Sequence, residues 1–222
     1  MGLYDNKVVV VTGASSGIGE HMARRFYEEG AFVAVCSRSQ ERIERAVSAY
    51  AGLRDPRILA VAADMTDRRA VAAFMAAVVE RFGRIDILIN NAGLSHPKPT
   101  VEVLPEDFDV TVQTKFQGYF FMSQAAARDM LRRGEGGAIV QIGSVQSATV
   151  IPGQAVYASV NAGIVQMTRS LAREWGKAGI RVNCIAPGSI HTPENAARYA
   201  DPAVEKAMCE KIPLGYRGYV EQ

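Results

Sequence analysis

A run of four valines followed by a glycine-rich turn constrains the fold of this chain most strongly. Positions 8–11 are all valine, and such an apolar run is typical of a parallel strand that is covered on both faces. Residues 12–19 read TGASSGIG, and a helical pattern through Ala23 and Phe26 follows them and ends at Gly30. The order strand, turn, helix therefore predicts an α/β unit at this end of the chain.

The glycine-rich turn is also a candidate phosphate-binding site. Glycines between a strand and a helix let backbone N–H groups approach a pyrophosphate, with the positive end of the helix behind them. An ordinary tight turn is the alternative, but the flanking strand and helix favour dinucleotide binding. The candidate contacts in the turn are Gly13, Ser15, Ser16, Gly17, Ile18 and Gly19.

Five further apolar segments alternate with helical patterns along the chain. They cover residues 31–36, 58–62, 85–89, 138–142 and 180–185. Six such alternations predict an α/β fold with one doubly wound parallel sheet, right-handed crossovers and a single domain over residues 1–222. Residues 189–222 have mixed polarity and predict a substrate-side segment of loop and short helices.

The end of the second predicted strand indicates which dinucleotide binds. In dinucleotide-binding folds this strand end lies beside the adenosine ribose, where a carboxylate favours a free 2′-hydroxyl and an arginine accepts a 2′-phosphate. Cys36, Ser37 and Arg38 include no acid, so the sequence favours NADP(H) over NAD(H). The alternative is that Arg38 is only a solvated charge at the start of a helix.

Two more strand ends carry candidate cofactor contacts. Asp64 and Met65 follow the third predicted strand, where an acid can accept a hydrogen bond from the adenine amino group. The alternative is that Asp64 or Asp67 only caps the next helix. The fourth strand ends at the carboxyl edge of the sheet, where ligands bind in such folds. Its candidate contacts are Asn91, Ala92 and Gly93.

One long helix is predicted over residues 106–133, and it places a lysine on an apolar face. The apolar stripe consists of Phe108, Val112, Tyr119 and Met122. Lys115 falls in the middle of this stripe. An ammonium group is costly there unless it reaches solvent or has a partner, so Lys115 is a candidate site residue.

A tyrosine and an asparagine predict a reacting site on a later helix. Tyr157 and Asn161 are four residues apart on a predicted helix over residues 157–176, so they share one face and can address one reacting group. Ser144 follows the fifth predicted strand and reaches the same edge of the sheet. Further candidates follow the sixth strand: Pro187, Gly188, Ile190 and Thr192.

The composition excludes several classes of partner. The chain has 25 basic and 23 acidic residues, so its net charge of +2 gives no electrostatic case for nucleic acid or an anionic membrane. Its apolar runs are shorter than a membrane span, and its N-terminus lacks the pattern of a signal peptide. Three cysteines, an odd number, favour reduced thiols over disulfides or a metal site. We therefore expect a soluble, cytoplasmic protein.

Together these motifs resemble the short-chain dehydrogenase/reductase family over nearly the whole chain. The resemblance implies a Rossmann fold with strand order 3-2-1-4-5-6. It also implies that Tyr157 is the general acid and base at a carbonyl or hydroxyl group, and that the Ser144 hydroxyl holds the same oxygen. A phenol titrates near ~10, so it needs a neighbouring positive charge to act near neutral pH.

The chain departs from the family pattern at the residue that supplies this charge. The family has a lysine four residues after the tyrosine, which also binds the nicotinamide ribose, and an asparagine on the long preceding helix. Here Asn161 stands at the lysine position, and Lys115 stands at the asparagine position. We expect that Lys115 delivers its ammonium from the neighbouring helix, while Asn161 keeps the hydrogen bonds to ribose and water. Two independent substitutions that leave a crippled site are the alternative.

The C-terminal region departs from the family pattern as well. Family members add another helix and a final strand after a segment that resembles residues 212–215, whereas this chain ends at residue 222. We therefore expect the last strand of the family sheet to be absent. The interface formed by the two long helices is still encoded, so a homodimer or higher homo-oligomer is expected.

The sequence therefore predicts an NADP(H)-dependent oxidoreductase that interconverts a carbonyl and an alcohol on a small molecule. An imine reductase on the same scaffold is one alternative. A protein that senses the dinucleotide without turnover is another, because fold alone does not separate an enzyme from a sensor. Gln146 and Gln154 suggest hydrogen bonding to a polar substrate, but a role in holding loops is equally consistent with the sequence.

Overall fold

The sheet consists of six parallel strands. The computed structural model describes residues 2–221. Its strands are β1 (Val8–Thr12), β2 (Phe32–Ser37), β3 (Ile58–Ala62), β4 (Ile87–Asn90), β5 (Gly137–Ile142) and β6 (Ile180–Ile185). They lie in the order β3-β2-β1-β4-β5-β6, and all neighbouring pairs are parallel. The predicted doubly wound α/β fold and its strand order are confirmed.

Helices connect the strands and cover both faces of the sheet. They are α1 (Gly17–Glu28), α2 (Gln40–Ser48), α3 (Arg68–Phe82), α4 (Pro105–Thr111), α5 (Gly118–Arg133), α6 (Ala155–Trp175), α7 (Pro193–Ala196) and α8 (Pro202–Cys209). Short 3₁₀ turns lie at Thr100–Glu102, Val145–Ser147, Gly176–Ala178 and Ala197–Tyr199. Within residues 2–221, none of these helices is both long and apolar enough to cross a membrane.

The four valines of β1 contribute to the core on both sides of the sheet. Val8 and Val10 pack into the cluster that contains Phe74, whereas Val9 and Val11 pack into the opposite cluster. Alternate residues of a strand face opposite sides, so a strand with helices on both sides has no solvent-facing position. Full burial of one valine side chain stabilises a fold by about 1.5–3 kcal/mol. The apolar run thus fixes β1 in the centre of the sheet.

Hydrogen bonds tie the glycine-rich turn to the end of β4. The backbone N–H groups of Asn91 and Ala92 both donate to Thr12 Oγ1, each at 3.0 Å. Asn91 Nδ2 donates in turn to the carbonyl oxygens of Thr12 and Gly13 at 3.0 and 3.1 Å. These contacts hold the two neighbouring strand ends in one fixed arrangement.

The long helix differs from the prediction at its centre. Val112–Gln117 form a π-helical segment between α4 and α5. A π turn inserts an extra residue, so the positions before it are rotated away from the face that a 3.6-residue period predicts. Phe108 is accordingly exposed, whereas Tyr119 and Met122 are buried. The single apolar stripe of the sequence analysis is therefore corrected to a stripe that the π segment interrupts.

A buried arginine organises the segment that follows β6. Arg217 is 1% exposed, and its guanidinium donates to Ser189 Oγ, Asn195 Oδ1 and Glu205 Oε2 at 2.8, 2.8 and 3.0 Å. It also lies 3.8 Å from the ring centroid of Tyr199. Two short helices, α7 and α8, lie in this segment. Among the described residues, the sheet ends at β6.

Gly13→Ala tests the close approach of the turn to β4. An added Cβ at Gly13 would lie 2.7 Å from Ala92 Cα, and the backbone has φ +65°, which strains any residue with a side chain. We expect a loss of about 3 kcal/mol in the free energy of unfolding, measured by urea denaturation. Gly83→Ala is the matched control, because Gly83 has φ +78° but no atom within 4 Å of the added Cβ. Its loss should be only about 1 kcal/mol, and equal losses would contradict the steric account.

Candidate active site

The glycine-rich turn has the geometry of a phosphate cradle. Gly13 and Gly17 adopt positive φ values of 65° and 58°, and a Cβ on Gly19 would lie 2.4 Å from Gly13 O. Ser16 is the N-cap of α1, and within the described chain its side chain accepts no hydrogen bond from the helix. The first N–H groups of α1 therefore keep their capacity to bind an anion. A dinucleotide pyrophosphate fits this donor set.

Residues of the segment after β6 face this turn. A Cβ on Gly17 would lie 3.3 Å from Thr192 Cβ, and Thr192 forms a capping box with Asn195 at the start of α7. The Ser16 hydroxyl donates to the carboxylate of Glu194, a residue that sequence reasoning missed. Pro187 O accepts a hydrogen bond from Val145 N at 3.1 Å, while Ile190 forms a β-bridge with Gly218. Among the predicted contacts, Thr192 is thus brought to the glycine-rich turn.

Asp64 and Asp67 both follow β3, and the structure shows which of them caps the next helix. The N-cap of α3 is Asp67, whose side chain accepts from Arg69 N at 2.7 Å. Asp64 instead accepts from Thr66 N at 2.9 Å and is partly exposed. Met65 has its side chain in the core, so only its backbone is available to a ligand.

Ser37 and Arg38 lie at the end of β2 with different surroundings. The Ser37 hydroxyl donates to Ser39 O at 2.9 Å, and Ser39 is the N-cap of α2. Arg38 is exposed, one residue before that cap. Its guanidinium is therefore open to solvent.

Lys115 lies in the protein interior and does not snorkel to the surface. Its side chain sits on the π segment, the residue is 3% exposed, and Nζ donates to Ile142 O at 3.1 Å. Burial lowers the pKa of Lys115 to about 8, and the negative charge of a Cys184 thiolate would oppose that change. Among the described residues its hydrogen bond goes to one backbone oxygen, and burial makes the ammonium lose its proton more readily than an exposed lysine does.

A glycine makes the space for this lysine. A Cβ on Gly93 would lie 2.9 Å from Lys115 Cδ and 3.4 Å from Nζ. Gly93 was predicted as a cofactor contact, and in the structure it packs directly against the lysine stem. No pattern in the chain signals this pairing, because the two residues are distant in sequence.

Two tyrosine rings flank the Lys115 ammonium. Nζ lies 5.3 Å from the ring centroid of Tyr157 and 5.4 Å from that of Tyr119. The Tyr119 hydroxyl also donates to Ile142 O at 3.1 Å, and burial raises the pKa of Tyr119 well above its usual value. Sequence reasoning assigned Tyr119 only to the apolar stripe. Its position four residues after Lys115 was the available signal.

Ser144 and Asn161 lie beside the Tyr157 phenol. Burial raises the pKa of Tyr157, and hydrogen bonds with Ser144 and Asn161 oppose that rise. Ser144 Oγ also accepts from Gln146 N at 3.2 Å. Asn161 is fully buried, and its Nδ2 donates to the Tyr157 carbonyl oxygen at 2.8 Å. Among the described residues, Asn161 Oδ1 has no hydrogen-bond partner.

The two glutamines near the site have different surroundings. Gln154 is buried, and its Oε1 accepts from the Ser95 hydroxyl at 2.6 Å, so it holds the loop after β4. Gln146 Oε1 is buried and has no hydrogen-bond partner within residues 2–221. Of these two glutamines, only Gln146 therefore retains an acceptor without a partner among the described residues.

The sequence that carries this turn, serine, tyrosine and lysine matches a known protein family. Residues 7–203 match the family model described as short chain dehydrogenase. The chain belongs to the short-chain dehydrogenase family. This dehydrogenase is 37% identical over 222 residues to 3beta-hydroxysteroid dehydrogenase 1 of Eggerthella lenta, with 99% of this chain and 85% of that protein covered.

Solved structures agree with this assignment. A putative short-chain alcohol dehydrogenase from Sinorhizobium meliloti 1021 is 37% identical and superimposes with a TM-score of 0.89, covering 98% of this chain and 85% of that one. A 3-ketoacyl-(acyl-carrier-protein) reductase from Brucella melitensis, complexed with NADH, is 31% identical with a TM-score of 0.87 and coverage of 98% and 87%. The dehydrogenase studied is thus an oxidoreductase of a family that uses NAD(H) or NADP(H).

Lys115→Met tests whether the buried ammonium destabilises the fold. The pKa of Lys115 falls from 10.5 in the unfolded chain to about 8 in the folded protein, so the charged form is disfavoured by folding. Removing the charge should stabilise the fold, and losing the hydrogen bond to Ile142 O should offset part of that gain. The free energy of unfolding of the variant should therefore be higher by roughly 2 kcal/mol at about pH 7.

The pH dependence supplies the control for this prediction. Between about pH 8 and 10.5 the unfolded chain binds more protons than the folded protein, so wild-type stability should rise with pH relative to the variant. Urea denaturation at about pH 7 and about pH 10 measures the difference, which should shrink at the higher pH. A variant that is less stable at both values would contradict the account.

Proposed function

We propose that this dehydrogenase interconverts a carbonyl and an alcohol on a small molecule, with NADP(H) as its cofactor. The observation that carries the proposal is the buried Lys115 ammonium, 5.3 Å from the ring centroid of Tyr157. When bound, the nicotinamide supplies or accepts the hydride. The residues of the chain bind and orient the reactants and move the proton.

Tyr157 is the proposed proton donor in the direction of reduction and the acceptor in the direction of oxidation. Its hydroxyl lies within hydrogen-bonding reach of Ser144, so both groups can hold one substrate oxygen. Ser144 would donate to the charge that develops on that oxygen. Burial alone leaves little phenolate on Tyr157 near neutral pH, because it raises the pKa of the phenol.

Lys115 is proposed to supply the positive charge that this buried phenol needs. A cation close to Tyr157 favours the phenolate and thus opposes the effect of burial. The family places its lysine on the helix of the tyrosine, whereas Lys115 approaches from the π segment of the neighbouring helix. Its hydrogen bond to Ile142 O holds the ammonium at the end of β5, and Ser144 follows Ile142 by two residues. This contact supports an exchange of positions rather than the loss of a catalytic group.

Asn161 is proposed to form the hydrogen bonds to ribose and water at this site. Its Nδ2 is engaged with the Tyr157 carbonyl, and its buried Oδ1 has no partner among the described residues. We assign that oxygen to a bound water or a ribose hydroxyl, since a buried polar atom is rarely left unpaired. Asn161 then completes the path of the proton away from Tyr157.

Arg38 is the proposed determinant of NADP(H) preference. It is exposed at the end of β2, and no acid stands at positions 36–38. Arg38→Ala should weaken NADPH binding by ten- to a hundredfold (on the order of one charge-assisted phosphate contact), with little change for NADH. Arg54→Ala, at another exposed arginine, is the matched control. Equal losses for both cofactors would contradict this role.

We also propose that two copies associate through the long helices. A cleft between α5 and α6 is lined by Phe120, Leu131, Leu171 and Trp175, and Phe120 and Leu131 are 39% and 47% exposed. Apolar faces of this kind are typical of homodimer interfaces. A cytoplasmic location stays a proposal as well, and it is supported by the free thiols of Cys36, Cys184 and Cys209.

Lys115→Met tests the proposed mechanism directly. We expect kcat for carbonyl reduction to fall by about 10²–10⁴-fold, because the phenol loses its neighbouring charge. In the wild type the rate should also fall as pH rises through about 8, where Lys115 loses its proton, and this step should be absent in the variant. Initial rates of NADPH oxidation over a pH series measure both effects.

Two further variants make the test specific. Lys177→Met removes an exposed lysine on another surface and should leave kcat unchanged. The double variant Lys115→Asn with Asn161→Lys restores the family arrangement and should recover activity relative to Lys115→Met. Full activity of Lys115→Met with an unchanged pH profile would refute the exchange of positions.

A further inference from the structure

A glutamate lies where the phosphates of a dinucleotide would be expected. The Ser16 hydroxyl donates to Glu194 Oε1, and Glu194 Oε2 lies 3.0 Å from the position that a Cβ on Gly17 would occupy. Ser16 is the N-cap of α1, and Gly17 is the first residue of that helix. The carboxylate of Glu194 therefore lies directly over the cradle of the glycine-rich turn.

The position is favourable for an anion because of the helix behind it. The first turn of α1 leaves backbone N–H groups without partners, and its end carries a partial positive charge. Ser16 uses its hydroxyl for Glu194 and not for capping the helix. A carboxylate here stabilises the protein without cofactor in the same way that a bound phosphate would stabilise the complex.

The segment that carries Glu194 is held in place by buried contacts. Thr192 and Asn195 form the capping box of α7, and Asn195 Nδ2 donates to Ile190 O at 2.7 Å. Asn195 Oδ1 in turn accepts from Arg217 at 2.8 Å, and Arg217 is buried. Glu194 therefore extends from a fixed base, and its own side chain is the part that can move.

The negative charge of Glu194 affects a neighbouring carboxyl group at this end of α1. Glu20 lies one turn further along the helix, and its pKa is raised first by burial and then by the negative charge of Glu194. Arg24 and His21 oppose this rise. A groove beside the turn, about 420 Å³ in volume, is lined by Glu20 and Glu194 and by the helix residues Arg42 and Arg45.

We infer that Glu194 competes with the cofactor pyrophosphate for the N-terminus of α1 and thereby weakens dinucleotide binding. The inference rests on the proposed function, since it requires a dinucleotide at the glycine-rich turn. Two anions cannot share this cradle, because like charges in contact repel strongly. The carboxylate must leave when the pyrophosphate arrives, and its return favours release of the product dinucleotide.

Glu194→Gln tests the competition, because it removes the charge and keeps the size of the side chain. Two effects of opposite sign are expected. The melting temperature of the protein without cofactor should fall by about 1–3 °C, since the helix loses its anion. The dissociation constant for NADPH, measured by fluorescence titration, should decrease by on the order of tenfold, and the rise in melting temperature on adding NADPH should increase.

Glu210→Gln is the matched control, because Glu210 is exposed and the charge change is identical. It should change neither the melting temperature nor NADPH binding. If Glu194→Gln lowers the melting temperature but binds NADPH with unchanged or weaker affinity, the competition is overturned while cofactor binding stands. If neither the wild type nor Glu194→Gln binds NADPH or NADH, the proposed function and the competition both fail.

Discussion

The hydrogen bond from Lys115 Nζ to Ile142 O is the interaction on which the proposed active site depends. It places a buried ammonium beside Tyr157 and immediately before the strand end that delivers Ser144. The fold makes room for it with a glycine at position 93 and with a π-helical segment in the long helix. Burial of a cation opposes folding, so a buried lysine at this position is expected if it has the proposed role.

Much of the architecture follows from the sequence because it depends on short-range patterns. The valines of β1 and the glycines of the following turn predict a central parallel strand and a tight turn, and the structure contains that strand and a turn with positive φ at Gly13 and Gly17. The family resemblance predicts that Tyr157 and Ser144 act on the same substrate oxygen. In the structure Ser144 lies close enough to the Tyr157 phenol to oppose the rise in its pKa. The family model then establishes an oxidoreductase.

Features that depend on long-range packing could not be predicted. The π segment rotates Phe108 to the surface, although a regular helical period predicts burial. The contact between Gly93 and Lys115 joins two elements whose approach is set by the whole sheet. The Arg217 hydrogen bonds and the contact of Glu194 with the glycine-rich turn depend on how residues 189–218 fold back, and no local signal indicates this.

The protonation of Lys115 is the most direct measure of the central claim. In the protein labelled with ¹³C at lysine Cε, the signal that disappears in Lys115→Met identifies this residue. We predict that its pKa is about 8, well below that of an ordinary lysine, because the ammonium is buried beside Tyr157. A titration near 10.5, as for a solvent-exposed ammonium, would contradict the claim that Lys115 supplies a buried charge to the active site.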